Sequence, residues 1–518
     1  MLRTILGVAL VVVTADSAGA DPACDRLRSL KIPNATITAA ESVAAGAFVQ
    51  PSAPGLGGRG GNAGPYSGLP AFCRVAATLT PSSDSDIKIE VWLPPAEDGG
   101  AGAAGVAWNR KFLAVGNGGW SGAISYPALA ASLKKGYATA STDTGHAGGS
   151  GSFALGHPEK LTDFAYRAVH EMTVTAKAII GAYYDAAPRL SYWSGCSSGG
   201  KQGLKEAQKY PNDYDGIVAG APANYWTHLV TQSLWVAQAT LKDPASLIPR
   251  EKFEVINKAA LAACDASDGV KDGLIENPAR CTFDPGSIQC ADADGPGCLT
   301  TPQVEAARKI YAPAKNPRTG AVIFPGMARG SELGWPALAG GPRPLSIAED
   351  HFRYVVFKNP EWDFRALDFD KDVALADATD AGAINATDPD LSAFAAHGGK
   401  LILYHGWNDQ LIAPQNTVDY YTSVRNTVGA AKTDAFARLF MAPGMMHCAG
   451  GPGPNTFDSQ GALEQWVEHG VAPAQLVASH STNGAVDRTR PLCAYPTVAV
   501  YKGSGDINDA ANFECKAK

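Results

Sequence analysis

The pentapeptide Gly195-Cys196-Ser197-Ser198-Gly199 sets a serine between glycines two residues to either side. A strand that turns directly into a helix leaves no room for side chains at those two positions, and it lifts the central hydroxyl to the helix N-terminus. Serine at its ordinary pKa is a weak nucleophile and needs a base that is itself held by an acid. "LILYHGWNDQ" supplies Asp409 three residues beyond a strand-like run, and "LFMAPGMMHC" supplies His447 beyond the next. Asp419 is a second acid, but it falls inside a helical stretch. A serine attack on a carbonyl also needs two backbone N–H donors for the oxyanion, one from the residue after the nucleophile and one from a loop after an early strand. Ser198 supplies the first, and Gly118 or Gly119 of "VGNGGWSG" can supply the second. Cys196 is disfavoured as the nucleophile because the x position of such a turn points its side chain away from the substrate.

Elements that would position these groups alternate along the chain. Strand-like runs at 111–119, 137–145, 189–195 and 215–223 are interleaved with helical stretches at 171–184 and 198–209. That alternation predicts a mostly parallel sheet with helices on both faces. Ahead of it, "FCRVAATLTP" and "IKIEVWLPP" form an N-terminal β-region, preceded by the Gly/Pro/Ser-rich loop 50–68. From about 225 to 395 the rhythm gives way to helical stretches (225–241, 250–264, 301–312), Asp/Gly/Pro loops and four cysteines. The strand–helix pattern then resumes at 400–406 and 437–444. The chain order Ser, Asp, His across such a sheet is that of an α/β-hydrolase core, here with a large inserted domain that the family resemblance given below implies is a lid. The division this implies is 1–20 as a leader, 21–224 as the first part of the core, 225–395 as the lid and 396–518 as the second part of the core.

Within the lid, "CDASDGVKDGLIENPARC" brings Asp265, Asp268 and Asp272 onto one short loop between two cysteines. Hard oxygen donors at that density suit calcium, with the carbonyls of Val270 and Leu274 completing the shell. The pattern is not an EF-hand, since Ser267 and Gly269 stand where that loop places oxygen donors and Val270 where it needs glycine. Between 350 and 364 the aromatic residues of "DHFRYVVFKNPEWD" could stack on a substrate ring or form lid core, and Arg353 could receive a substrate carboxylate.

Composition bounds the rest. With 518 residues, 45% hydrophobic content and a formal net charge of −7, the chain has ample material for a core, and it contains no basic run of the kind that binds nucleic acid. Residues 1–20 combine Arg3, the apolar run 5–13 and the small residues "AGA", the pattern of an export leader, so the mature chain is expected to be secreted or periplasmic. No other stretch reaches the roughly 18 apolar residues of a membrane span. Ten cysteines fit an oxidising compartment, and no CxxC pairing supports a zinc site of that type. Closeness in sequence favours Cys264–Cys281, Cys290–Cys298 and Cys493–Cys515, with Cys24–Cys73 the simplest remaining N-terminal pair.

The segments "GCSSGG", "HGWND", "MMHC", "STDTGHAG" (141–148) and the Asp/Gly loop together resemble the tannase and feruloyl esterase family, which also contains a hydrolase of mono(2-hydroxyethyl) terephthalate. The likeness runs over most of the mature chain. It implies a serine esterase of aromatic-acid esters, most simply feruloyl or other hydroxycinnamoyl esters, free or attached to polysaccharide or polyphenol. Galloyl esters or a terephthalate monoester are the alternatives. By the same resemblance Ser197, Asp409 and His447 form the triad, Cys196 and Cys448 are disulfide-bonded beneath it, all five disulfides are expected, and the lid loop carries a structural calcium. A chain that keeps this fold but only binds carbohydrate or phenol is the reading from another class. The intact serine, acid, histidine and elbow glycines argue against it.

Overall fold

The computed structural model describes residues 21–51, 66–96 and 106–517; the leader 1–20 and most of the Gly/Pro-rich loop expected at 50–68 lie outside them. At its centre nine strands form one sheet. They are β1 (Ala35–Val43), β2 (Phe72–Leu79), β3 (Ile87–Leu93), β4 (Lys111–Val115), β5 (Ala138–Thr142), β6 (Leu190–Cys196), β7 (Gly216–Gly220), β8 (Lys400–Gly406) and β9 (Ala437–Ala442). Their spatial order is β1-β2-β3-β5-β4-β6-β7-β8-β9. The first four neighbours pair antiparallel, and from β5 to β9 every pair is parallel.

Parallel strands need crossovers, and here the crossovers are helices that cover both faces. Helices α1 (Tyr126–Leu133), α2 (Ala168–Tyr184) and α3 (Ser198–Lys209) belong to the first part of the sheet. In the segment inserted between β7 and β8 the main helices are α4 (Trp226–Leu241), α5 (Lys252–Cys264) and α6 (Thr301–Tyr311). Beyond it come α7 (Gln415–Val428) and α8 (Ser459–His469). Strand β4 shows how the layers are made: Phe112 and Ala114 join the cluster containing Met172, Ile179 and Leu204, whereas Leu113 and Val115 join the one containing Leu129, Leu463 and Trp466. The alternation of side chains along a strand thus feeds two separate cores. Strands β5 and β7 are buried along their whole length, as central parallel strands are.

Strand β1 went unforeseen, because its run of Ala, Thr and Ser carries little apolar signal; it is an edge strand with alternate residues exposed. Two C-terminal hairpins were likewise not foreseen: β10 (Gln475–Thr482) with β11 (Ala485–Cys493), and β12 (Thr497–Tyr501) with β13 (Phe513–Ala517). The insertion has a core of its own, in which Leu234, Phe253, Val304 and Trp335 take part, and Trp120 from the loop after β4 and Phe164 from the helical turn leading into α2 join the same cluster. The lid is therefore seated on the C-terminal edge of the sheet by continuous apolar packing. All ten cysteines are paired, as Cys24–Cys73, Cys196–Cys448, Cys264–Cys281, Cys290–Cys298 and Cys493–Cys515. Among the described residues no helix is long and apolar enough to cross a membrane.

Candidate active site

Ser197 stands at the junction of β6 and α3 with φ 63° and ψ −121°. A non-glycine residue held at positive φ costs on the order of 1–3 kcal/mol and persists only where the surroundings dictate it. Here they do: the Ser197 N–H donates to Gly220 O at 2.9 Å, and Ser197 O accepts from Lys201 and Ala223 at 3.0 and 3.1 Å. Space is tight around both flanking glycines: a Cβ on Gly195 would sit 2.5 Å from Gly199 O, and one on Gly199 would sit 3.1 Å from Asn117 O.

Asp409 lies just past β8 and is fully buried. Its Oδ1 accepts the N–H groups of Leu411 and Ile412 at 2.7 and 2.9 Å. Its Oδ2 accepts from two imidazoles, His447 Nδ1 at 2.7 Å and His405 Nε2 at 2.9 Å. Burial alone would raise the carboxyl pKa. The charge of His447 and the hydrogen bonds from both histidines outweigh it and hold Asp409 well below the usual carboxylate range. His405 was not singled out from the sequence. It is buried on β8, and its Nδ1 meets Thr417 Oγ1 at 2.7 Å, so this second histidine is itself held in place where it shares Asp409 Oδ2 with His447. The signal was present as the "HGWND" motif, with the histidine four residues before the acid.

His447 follows β9 and shares with Ser197, Ser198 and Gly119 the wall of a narrow cleft. Trp226, Leu229, Val230, Leu345, Ile347 and Leu411 make most of the remaining wall, and among the described residues no lysine, arginine or carboxylate lines it. Of the two glycines open as oxyanion donors, Gly119 lines this cleft and Gly118 does not. Ser198 Oγ donates to Gly119 O at 3.0 Å, tying the two loops together. The segment 141–148 braces the same loop from behind. His146 Nε2 meets Trp120 O at 2.8 Å, and Gly122 passes so close that a Cβ there would lie 2.4 Å from His146 O. Cys196 and Cys448 join the neighbours of Ser197 and His447 with their Cα atoms 5.9 Å apart.

Other expected residues fall elsewhere. Asp419 lies on α7 beside a wider surface groove with Trp407 and Tyr311, where Gln415 Nε2 donates to it at 2.8 Å. Arg353 is not in the cleft: its Nη2 pairs with Glu349 at 2.8 Å and its Nε donates to Trp362 O. A substrate carboxylate bound in the cleft would therefore not meet it. Phe352, Phe357 and Trp362 stack on one another in the lid, and none lines the cleft. The ring against the nucleophile is instead Trp226, the first residue of the insertion's first helix.

In the Asp/Gly loop, Asp265 accepts the N–H groups of Asp272 and Gly273 at 3.0 and 2.9 Å, and Asp268 accepts that of Val270 at 2.9 Å. Asp272 makes a buried ion pair with Arg490 of β11. The donor set, carboxylates and carbonyls only, fits a hard cation. Beside it burial pushes Glu276 up to about 8, Arg490 pulling the other way and Asp268 and Asp272 adding to the rise, so negative charge is crowded here. The aspartates are not drawn onto one point, however. Among the described residues, only His170, Glu206 and Asp213 place three metal-capable atoms within 4.8 Å of one another.

A parallel sheet with an elbow serine, a buried acid and a histidine on successive strand ends, under an inserted lid, defines an α/β-hydrolase. A family model described as tannase and feruloyl esterase matches residues 73–516. An uncharacterized esterase of Xanthomonas campestris is 38% identical over 566 aligned positions, covering 99% of this chain and 94% of that protein. A probable feruloyl esterase B-2 of Aspergillus oryzae is 36% identical over 86% of each chain. Among solved structures, feruloyl esterase B from A. oryzae superposes with a TM-score of 0.86 at 32% identity, over 95% of this chain and 99% of its own. The tannin acyl hydrolase of A. niger shares the fold, with a TM-score of 0.75 at 23% identity over 95% and 93% of the two chains. The chain belongs to the tannase and feruloyl esterase family, and with it to the carboxylic ester hydrolases.

Proposed function

We propose that the chain is an exported serine esterase that hydrolyses feruloyl or related hydroxycinnamoyl esters through an acyl-enzyme. The observation that carries the reading is the 2.7 Å contact of Asp409 Oδ2 with His447 Nδ1, with His447 and Ser197 on the wall of one apolar cleft. With Nδ1–H committed to Asp409, the His447 Nε2 lone pair is free to accept the Ser197 proton as Oγ bonds to the ester carbonyl carbon. Oxyanion charge falls to the N–H groups of Ser198 and, of the two glycines, Gly119. His447 then returns the proton to the leaving alkoxide, and the same base activates water to release the acid and restore Ser197.

The cleft walls favour the hydroxycinnamoyl class. Among the described residues, a terephthalate monoester would bring its carboxylate to a wall without lysine or arginine, and a galloyl group would bring three hydroxyls to a wall whose one side-chain hydroxyl beyond the elbow serines is that of Ser233. Relatives named feruloyl esterase B support the same choice. A panel of methyl ferulate, methyl gallate and a terephthalate monoester tests it, with kcat/KM for the ferulate expected to lead by at least about tenfold. A lead for either other ester would replace the substrate class. Binding without hydrolysis of any of them would reduce the chain to a ligand-binding member of the fold. Five disulfides support an oxidising, extracytoplasmic location.

The Cys196–Cys448 bridge should matter to rate as well as to folding. It spans 252 residues of sequence, for which chain entropy alone gives about 5 kcal/mol, but it also fixes the His447 loop against the elbow. A shift of about 1 Å between base and nucleophile costs on the order of a hundredfold. Cys196→Ser/Cys448→Ser is therefore expected to lose about that factor in kcat per folded molecule, counted by circular dichroism. Full specific activity in the folded double variant would contradict this.

We also propose that Asp265, Asp268 and Asp272, with the carbonyls of Val270 and Leu274, hold a structural calcium ion. The ion would offset carboxylate repulsion and fix the lid loop. At free calcium about 100 times its Kd the ion would add about 2.7 kcal/mol, so chelation should lower Tm, and Asp268→Ala should abolish the calcium dependence. If chelation changes neither Tm nor the calcium found by elemental analysis, the loop is held by Arg490 and the disulfide alone.

A further inference from the structure

A second cluster of ionisable groups lies away from the cleft. His170 on α2, Glu206 near the end of α3 and Asp213 in the turn leading to β7 bring one ligand atom each within 4.8 Å of the others. His170 Nδ1 is 2.7 Å from Asp213 Oδ2, and its ring stacks on Tyr210 at 3.7 Å. Glu206 is only 1% exposed and neither of its carboxyl oxygens has a hydrogen-bond partner.

A buried carboxylate facing a second carboxylate, with no donor to either oxygen, is costly unless a cation or a proton stands between them. Lys177 is the nearest cation, but it donates to the backbone carbonyl of Asp213 rather than to either carboxylate. Asp215 adds a further negative charge to its surroundings. His170 and Asp213 keep part of their side-chain surface open, 28% and 15%, which gives an ion an entry path and room for water.

We propose that His170, Glu206 and Asp213 form a binding site for a divalent transition-metal ion of the zinc class, separate from the Asp/Gly loop of the lid. One imidazole nitrogen and two carboxylates are a ligand set that zinc accepts, with a solvent position left open, whereas an all-oxygen set suits calcium. Nine residues of helix separate Glu206 from Ser197, about 14 Å, so the ion would not take part in ester cleavage. It would clip α2, α3 and the approach to β7, anchoring the far end of the helix whose first turn carries the nucleophile.

The test uses the full-length mature protein, stripped with a chelator and returned to saturating calcium so that the lid loop is filled. Zinc is then added, and both zinc content by elemental analysis and the shift in Tm are measured. The wild-type chain is expected to retain one zinc per molecule and to melt higher with it. Glu206→Gln, which keeps the shape and removes the charge, and His170→Asn, on the more exposed side, are each expected to weaken zinc binding by more than the 10–100-fold that loss of an outer-shell partner costs. If Glu206→Gln fails to fold, His170→Asn decides alone. Zinc uptake that is absent in the wild type, or unchanged in the folded variants, overturns the site and leaves Glu206 and Asp213 sharing a proton.

Discussion

Ser197→Ala is expected to lower kcat on a feruloyl ester by on the order of 10⁶-fold while the protein keeps its fold and its Tm. The positive φ at this position is imposed by backbone hydrogen bonds to Gly220, Lys201 and Ala223, none of which involves the hydroxyl, so alanine occupies the elbow as serine does. What goes is the only nucleophile: Cys196 beside it is locked in a disulfide. Residual hydrolysis of about 10³ over water remains possible from binding and the oxyanion donors. The measurement is steady-state hydrolysis of methyl ferulate, with mass spectrometry for an acyl adduct on the wild type and its absence on the variant. Undiminished turnover by the purified variant would remove Ser197 from the mechanism.

Asp409→Asn should cost about 10⁴-fold in kcat. The carboxylate accepts four N–H groups: Leu411 and Ile412 on Oδ1, His447 and His405 on Oδ2. An amide has one accepting oxygen and one donating NH₂, so in either orientation it presents donors to donors. Turned one way it loses both backbone N–H groups; turned the other it drives the His447 proton to Nε2, the nitrogen that must accept from Ser197. The ion also bears on stability. The folded pKa of Asp409 lies below its unfolded value of about 3.9, so its charge contributes stability above that pH and loses it as pH falls toward the lower folded value. The stability deficit of Asp409→Asn against wild type should therefore shrink in urea melts below about pH 4. Wild-type turnover in folded Asp409→Asn would overturn the assignment.

Much of this was legible along the chain, because the signals are local. The elbow at Ser197 shows in the sequence because steric crowding within the turn leaves no room for a Cβ at Gly195 and little at Gly199, and short-range sterics leave a short-range pattern. The alternation of strand and helix is equally local, and it foretold the parallel half of the sheet to within a residue or two at most ends. Asp409 and His447 were found because strand ends in this topology fall on one edge of the sheet. The four shorter disulfides were suggested by closeness in sequence.

The tertiary structure decided whatever depends on which distant segments meet. His405 lies only four residues before Asp409, but its ring is set by Thr417 of α7 on Nδ1, and that contact depends on α7 packing against β8. Whether Gly118 or Gly119 faces the cleft depends on how the lid's Ile347 packs on the loop. Arg353 was an open cation in the sequence and proved to be spent on Glu349 one helical turn away. The docking of Arg490 onto Asp272, 218 residues earlier, needed hairpins that the sequence did not reveal. The meeting of His170, Glu206 and Asp213 likewise depends on the packing of two helices and a turn. Local sterics and periodicity are written in neighbouring residues, whereas charge pairing and cleft lining are set by the packing of remote ones, and that packing exists only once the chain has closed on itself.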